Sequence, residues 1–392
     1  MRRVRRRTFL AASGRAGIGL SLFPALADAT ASAAPRQTAA GAGSTAVFAD
    51  IQKLIPALMA KAALPGLSMV GIRDARIAWT RNFGVVNRTS GAPINDETIF
   101  EAGSMSKPVF AYAVMKLCEK GVLDLDRQLT AYTPERIVAN DARLEQITAR
   151  RVLSHTTGLP NWRSASQPMA IRFTPGERWQ YSGEGYSYLQ SVVTHLTGRV
   201  DPTRCGTYEG DLKVCATDID TYMKAQVLAP FGMTFSGYVW NELLEAKAAR
   251  PHDAKGAFFA KGHASAVDAA RYAAAGGLFA TATDYARFLI EVIAPRETDA
   301  FRLTRKSLDE MTRPAVKVSN TPPSSWALGW QVLHTDTGDV IAHGGDNPGF
   351  HSFSAASIAR GTGMVVMTNG DSGPDVIKQI VFGDTMRRIL AR

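Results

Sequence analysis

Strand patterns stand at both ends of this 392-residue chain and helix patterns fill its middle, and that distribution narrows the possible folds more than any other feature. Leu67 to Arg73 and Ala75 to Phe83 read as β-strands around a polar turn at Asp74. Strand signals return at Ala327–His334, Val340–His343, His351–Ile358 and Gly363–Thr368. Apolar residues at helical spacing predict an amphipathic helix over Val47 to Ala62, a strong helix from Ser104 to about Lys120 ended by Gly121, and further helices at Glu184–Leu196, Ile219–Leu228 and Ala282–Ile293. Residues 374–391 close the chain as a helix. The implied architecture is α/β (α+β): an antiparallel sheet formed from both chain ends and flanked by helices, with a mostly helical subdomain inserted at about 105–290. A site in such a layout sits in the cleft between sheet and helices.

The formal net charge of +10 invites a nucleic-acid reading, but half of it lies at the extreme N-terminus. Residues 1–33 hold six Arg and one Asp, leaving 39 basic against 34 acidic residues beyond, with no basic run of the kind that tracks phosphates. Nucleic acid is not an expected partner. Arg6-Arg7-Thr8-Phe9-Leu10 is a twin-arginine type of pattern, followed by a short apolar stretch from Ala16 to Ala27 and small-residue cleavage sites at Ala25-Leu26-Ala27 and Ala31-Ser32-Ala33. Residues 1–33 thus read as a signal peptide, 34–45 as a flexible linker and 46–392 as the folded domain, exported to a bacterial periplasm or secreted. No segment of the mature chain has the roughly eighteen apolar residues a spanning helix needs. Cys205 and Cys215 lie in a polar stretch where a disulfide suits an oxidising compartment, two free surface thiols being the alternative. Cys118 falls in an apolar helical pattern and reads as a buried filler.

Chemistry concentrates first in Glu101-Ala102-Gly103-Ser104-Met105-Ser106-Lys107. Residues three apart share a helix face, so Ser104 and Lys107 can hydrogen-bond. Ser104 is expected to open the helix, where free N–H groups and the dipole favour the negative charge of an acyl-transfer intermediate. Ser106 points elsewhere and reads as structural. A second element, Phe173 to Tyr186, sets Tyr181-Ser182-Gly183 in a turn just ahead of a helix. A third, His343-Gly344-Gly345-Asp346, stands at a strand end, where glycines permit close approach of a ligand to the backbone. Taken singly, each could be plain structure.

In this order the three elements resemble the pattern of penicillin-recognising serine enzymes, in the branch holding class C β-lactamases, D-Ala-D-Ala carboxypeptidases, D-aminopeptidases and related esterases. Thr148–Pro160, with Ser154-His155-Thr156, is similar to that family's helix-to-loop segment. Ala275–Thr281 resembles its Gly-Gly-Leu segment and Leu328-Gly329-Trp330 its Gly-Trp strand. The resemblance covers roughly residues 50–390 and implies a β-lactamase/transpeptidase-like fold and a serine hydrolase acting through an acyl-enzyme on Ser104. Lys107 and Tyr181 would share the proton traffic, and which of them is the base stays open. The oxyanion would be held by the N–H of Ser104 and one at about Asp346, with His343, Gly345 and Gly183 beside the substrate.

Two residues depart from the family pattern. His343 replaces the Lys usual in lactamases, and Gly183 the Asn whose amide would hold a substrate's amide carbonyl. Both point towards an ester, small amide or peptide substrate, with a β-lactamase or D-Ala-D-Ala carboxypeptidase as the alternative and an inactive peptidoglycan-binding relative behind it. A Ser-His-Asp α/β-hydrolase would need a Gly-x-Ser-x-Gly elbow, which does not occur here. His155 reads as a packing residue of its loop. His195, His252, His263 and His334 lack metal-ligand spacing, so neither metal nor cofactor is expected. The oligomeric state is not legible.

Overall fold

A computed structural model of the chain describes residues 42–134, 136–197, 216–261, 272–297 and 299–391. The expected signal peptide, the Cys205–Cys215 pair and His263 lie outside the described residues. In chain order the strands are β1 Gly66–Arg73, β2 Arg76–Gly84, β3 Phe100–Gly103, β4 Leu278–Ala280, β5 Val316–Asn320, β6 Pro323–Trp326, β7 Gln331–Thr335, β8 Gly338–Asn347, β9 Phe350–Ser357 and β10 Thr362–Thr368. Eight form one sheet in the order β2-β1-β10-β9-β8-β7-β6-β5, while β3 and β4 pair separately. Every pairing is antiparallel. The two chain ends meet where β1 pairs with β10, Leu67 opposite Thr368 and Ile72 opposite Gly363.

Successive strand residues face opposite sides of a sheet, and both sides are covered. Leu67, Met69, Phe353 and Val366 pack on Ile51 and Ile55 of the Ala42–Lys61 helix and on Val376 and Ile380 of the Gly373–Phe382 helix. Val70, Ile72, Val365 and Met367 instead join Phe110, Tyr285 and Phe288 of the inserted helical region. Buried on both faces, β10 reads Thr-Gly-Met-Val-Val-Met-Thr with no polar alternation. No described helix is long and apolar enough to cross a membrane.

Several expected boundaries shift, each for a physical reason. The first helix begins at Ala42, inside the expected 34–45 linker, because the buried Ile51, Ile55 and Met59 anchor it and its first turn extends backwards. The Ser104–Lys120 helix starts at Ser106; Ser104 and Met105 form the turn leading into it, with the Lys107 N–H donating to the Ser104 carbonyl at 3.0 Å. Ala327–Trp330 is no strand but a tight reversal between β6 and β7, the Ala327 N–H reaching the Trp330 carbonyl at 2.7 Å with Gly329 at φ 91°. Conversely β8 runs past His343 through both glycines to Asn347, paired residue by residue with β9. Ile219–Leu228 divides into the Ala216–Met223 α-helix and a π-helical turn at Lys224–Leu228. The closing helix breaks at Gly383.

Candidate active site

Strand β3 delivers the chain to the Ser104 turn, and its position is fixed from β8 and β9. The Ser352 hydroxyl on β9 donates to the Ala102 carbonyl at 2.8 Å. Gly345 on β8 lies so close to Ala102 that a Cβ there would overlap its carbonyl oxygen. Gly103 has φ 55°, a left-handed conformation, and a Cβ on it would stand 2.7 Å from the Asp346 nitrogen. The two glycines let β8 slide against the turn, bringing the Asp346 amide alongside the start of the Ser104 segment.

Lys107 lies on the first turn of the Ser106–Glu119 helix and is wholly buried. Its amine donates to the Ser104 Oγ at 3.2 Å and to the Ala275 carbonyl at 2.5 Å. It also lies 4.7 Å from the Tyr181 ring centroid and 5.4 Å from that of Tyr186. No carboxylate is among these partners. Burial pulls the amine down to about pH 7. Ser106, the neighbour that sequence read as structural, donates to the Gly103 carbonyl at 2.6 Å and accepts from the Leu278 N–H at 2.9 Å. It staples β3 to β4.

Tyr181 precedes the Gly183–Leu196 helix, whose N-cap Ser182 accepts from the Gly185 N–H at 2.9 Å. The phenol hydrogen-bonds Ser104, and burial holds it well above its ordinary range against that bond. It is therefore a neutral hydroxyl at physiological pH. His343 sits on β8 with Nδ1 donating to the Gly344 carbonyl at 2.6 Å, which fixes the lone pair on Nε2. Burial, then the charge of Lys107, pushes this imidazole down to about 3. Its Nε2 has no hydrogen-bond partner among the described residues. Where a lysine would present a cation, His343 presents an uncharged acceptor. Trp326 meets His343 edge-on at 5.5 Å and Tyr181 at 5.7 Å, walling both with apolar surface.

Gly183 corrects one expectation. It was expected beside the substrate, in the place of an asparagine, but it is buried in the first turn of its helix under Trp162. A Cβ there would lie 2.6 Å from the indole and 2.9 Å from the Asn161 carbonyl. Its N–H already donates to Asn161, at 3.1 Å to the backbone oxygen and 3.0 Å to Oδ1. The space is filled by an aromatic ring. Cys118 is half-buried rather than fully buried, and burial raises its thiol to about 12.

Ser104, Lys107, Tyr181, His343, Gly345 and Asp346 thus converge from three separate segments. Sequence reasoning missed the Ala275 carbonyl, Trp162 and Trp326. Ala275 was within a segment singled out for its glycines; nothing in sequence ties the two tryptophans to the Tyr181 turn.

Comparison with known proteins agrees with this architecture. A family model described as Beta-lactamase matches residues 51–381. Esterase EstB of Burkholderia gladioli is 28% identical over 193 residues, a match covering 41% of this chain and 48% of that protein. Penicillin-binding protein 4* of Bacillus subtilis (strain 168) is 21% identical over 341 residues, covering 78% of this chain and 68% of that protein. The crystal structure of D-alanine carboxypeptidase AmpC from Burkholderia cenocepacia superposes with a TM-score of 0.71 at 17% identity, covering 88% of this chain and 99% of that one. The chain belongs to the beta-lactamase family.

Proposed function

We propose that this member of the beta-lactamase family hydrolyses small uncharged carboxylic esters through an acyl-enzyme on Ser104. The observation that carries the reading is the buried Lys107 amine, pulled down to about pH 7 and 3.2 Å from the Ser104 Oγ. A neutral amine at that distance is a usable base for a hydroxyl. Ser104 Oγ attacks the carbonyl carbon while its proton passes to Lys107 Nζ. The neutral Tyr181 hydroxyl, hydrogen-bonded to Ser104, gives its proton to the leaving alkoxide and is refilled from Lys107. Water then attacks the acyl-enzyme by the same route in reverse. The amides of Ser104 and Asp346 would face the developing oxyanion.

An ester is favoured over a β-lactam or a D-Ala-D-Ala peptide because those substrates carry a carboxylate. At position 343, where lactamases usually carry Lys, that carboxylate would meet an uncharged imidazole, and Lys107 is engaged in proton transfer. The esterase among the relatives is consistent with this, its match covering 48% of that protein's length. The decisive measurement compares kcat/KM for short-chain nitrophenyl esters, D-Ala-D-Ala peptides and nitrocefin. Ester turnover exceeding the other two is expected, and cephalosporin turnover well above that of any ester would overturn the ranking.

Export and the Cys205–Cys215 disulfide belong to the same proposal, supported by the twin-arginine pattern and the cleavage sites. The exported protein should begin near Asp28 or Ala34 by mass spectrometry. Retention in the cytoplasm is expected when Arg6 and Arg7 are both changed to Lys. Non-reducing peptide mapping should join Cys205 to Cys215; alkylation of both without reduction would count against the bridge.

A further inference from the structure

Tyr181 must present its hydroxyl to Ser104 from a turn, and turns tolerate displacement. One residue, from a different segment, holds this turn at three points. The His155 carbonyl accepts the Gln180 N–H at 2.8 Å, and its Nδ1 accepts the Ser182 N–H at 3.0 Å. Between these two bonds the imidazole lies against the Tyr181 ring, centroids 4.2 Å apart and planes inclined by 33°. The residues before and after Tyr181, and Tyr181 itself, are all gripped by His155.

The grip is built at a conformational cost. His155 has φ 56°, a left-handed conformation that a histidine leaves readily unless its surroundings hold it there. It is completely buried, with Tyr186 at 5.2 Å and Trp326 at 4.9 Å on its other sides. Accepting from Ser182 requires a lone pair on Nδ1, so the ring is the neutral Nε2–H tautomer. Burial, reinforced by the neighbouring Lys107 amine, keeps it neutral. A loop that needed only to turn at this position would be served by glycine.

We propose that His155 is a positioning residue for the proton-transfer step, setting the Tyr181 hydroxyl against Ser104 rather than merely filling the core. The inference rests on the role given to Tyr181 above. A displacement of about 1 Å at a reacting group can cost on the order of 100-fold in rate, so loss of the clamp should fall on acylation and leave substrate binding nearly intact.

The test is a double-mutant cycle. His155→Asn tolerates the left-handed backbone and offers Oδ1 in the place of Nδ1, but removes the ring. His155→Phe keeps a ring and removes the acceptor. Acylation rates are read by stopped flow with a nitrophenyl ester, and correct folding by circular dichroism and active-site titration with a fluorophosphonate. For whichever variant folds, acylation is expected to fall about 10- to 100-fold with KM changed less than about three-fold. In a Tyr181→Phe background the same substitution should cost less than about two-fold. Additive losses in the two backgrounds, or wild-type acylation by both His155 variants, would overturn the proposal. Wild-type acylation by Tyr181→Phe alone would instead overturn the role assigned to Tyr181, so the two failures are distinguishable.

Discussion

The Lys107 amine donates to the backbone carbonyl of Ala275 at 2.5 Å, a bond between residues 168 positions apart and without a compensating carboxylate. The carbonyl orients the amine towards Ser104 without adding the negative charge that would hold it protonated. Because burial lowers the amine to about 7, its neutral, active form grows as pH rises through that value. Acylation should therefore climb with pH to a plateau above about 8, with an acid limb near 7. Lys107→Ala should lose on the order of 10²–10⁴ in acylation rate together with that limb. A limb that persisted in Lys107→Ala, read from kcat/KM against pH, would assign it to another group.

Ser104 and Ser106 are two residues apart and differ in everything that matters for labelling. Ser104→Ala should abolish turnover and covalent modification by a fluorophosphonate. Ser106→Ala removes the acceptor of the buried Leu278 N–H, which costs about 1–3 kcal/mol in stability, so its melting temperature should drop while Ser104 is still labelled below it. Label mapped to Ser106 in the Ser104→Ala protein by peptide mass spectrometry would reverse the assignment.

Legibility in the sequence followed the strength of local pattern. The buried strands β1, β9 and β10 and the Gly183–Leu196 helix stood out because apolar residues recur along them at strand or helix spacing. Strands β3 and β4 did not, being four and three residues long and held by tertiary contacts such as the Ser106 staple. β5 and β6 are too polar to carry a strand period. Around the site, Ser104 and Lys107 were paired by spacing alone. The contact between Trp162 and Gly183 spans 21 positions and has no local signature, so the glycine was placed beside the substrate when it is a packing contact.

That contact changes what an asparagine at Gly183 would do. Its Cβ would meet the Trp162 indole at 2.6 Å and the Asn161 carbonyl at 2.9 Å, and overpacking of this kind typically costs about 1–3 kcal/mol. Gly183→Asn should be destabilised and less active on every substrate, acylamino esters included. Adding Trp162→Ala should recover part of the loss. Thermal melts and kcat/KM on matched ester pairs measure both effects; a stable single variant with a selective gain on acylamino esters would mean that Trp162 moves aside.

His351, opposite Asp346 in the β8–β9 register, links the site to stability. Its Nδ1 donates to Asp346 at 2.7 Å, and Asp371 lies 3.6 Å from Nε2, an ion-pair distance too long for a good hydrogen bond. Burial opposes its charge, but the two carboxylates outweigh it and push the imidazole up to about 9 from 6.5. A raised folded value means stabilisation that is complete below about 6.5 and lost as pH rises through 9. His351→Gln should lower stability at pH 6 by on the order of 1 kcal/mol and converge with wild type above pH 9.5. Parallel denaturation curves for the two proteins across that range would refute the linkage.

On the proposed reading the uncharged His343 disfavours carboxylate-bearing substrates, and a lysine there tests it directly. In the wild type this position holds an imidazole pushed down to about 3, so a substrate carboxylate arriving beside it gains no cation from His343. His343→Lys supplies one. Two charges about 6 Å apart interact by roughly 3 kcal/mol at an effective dielectric of 20, enough to shift a preference strongly if the new ammonium reaches the ligand. The kcat/KM for carboxylate-bearing substrates, relative to a neutral ester of similar size, should rise by about ten-fold or more. A second effect follows from the same charge. Lys107 already loses its proton near 7 through burial, and another cation close by disfavours its protonated form further, so the acid limb of ester hydrolysis should move to lower pH. The two readouts are independent: one concerns the substrate's charge and the other the base. A downward limb shift with no change in substrate preference would place the new charge beside Lys107 but away from the bound carboxylate, and would remove His343 from substrate selection.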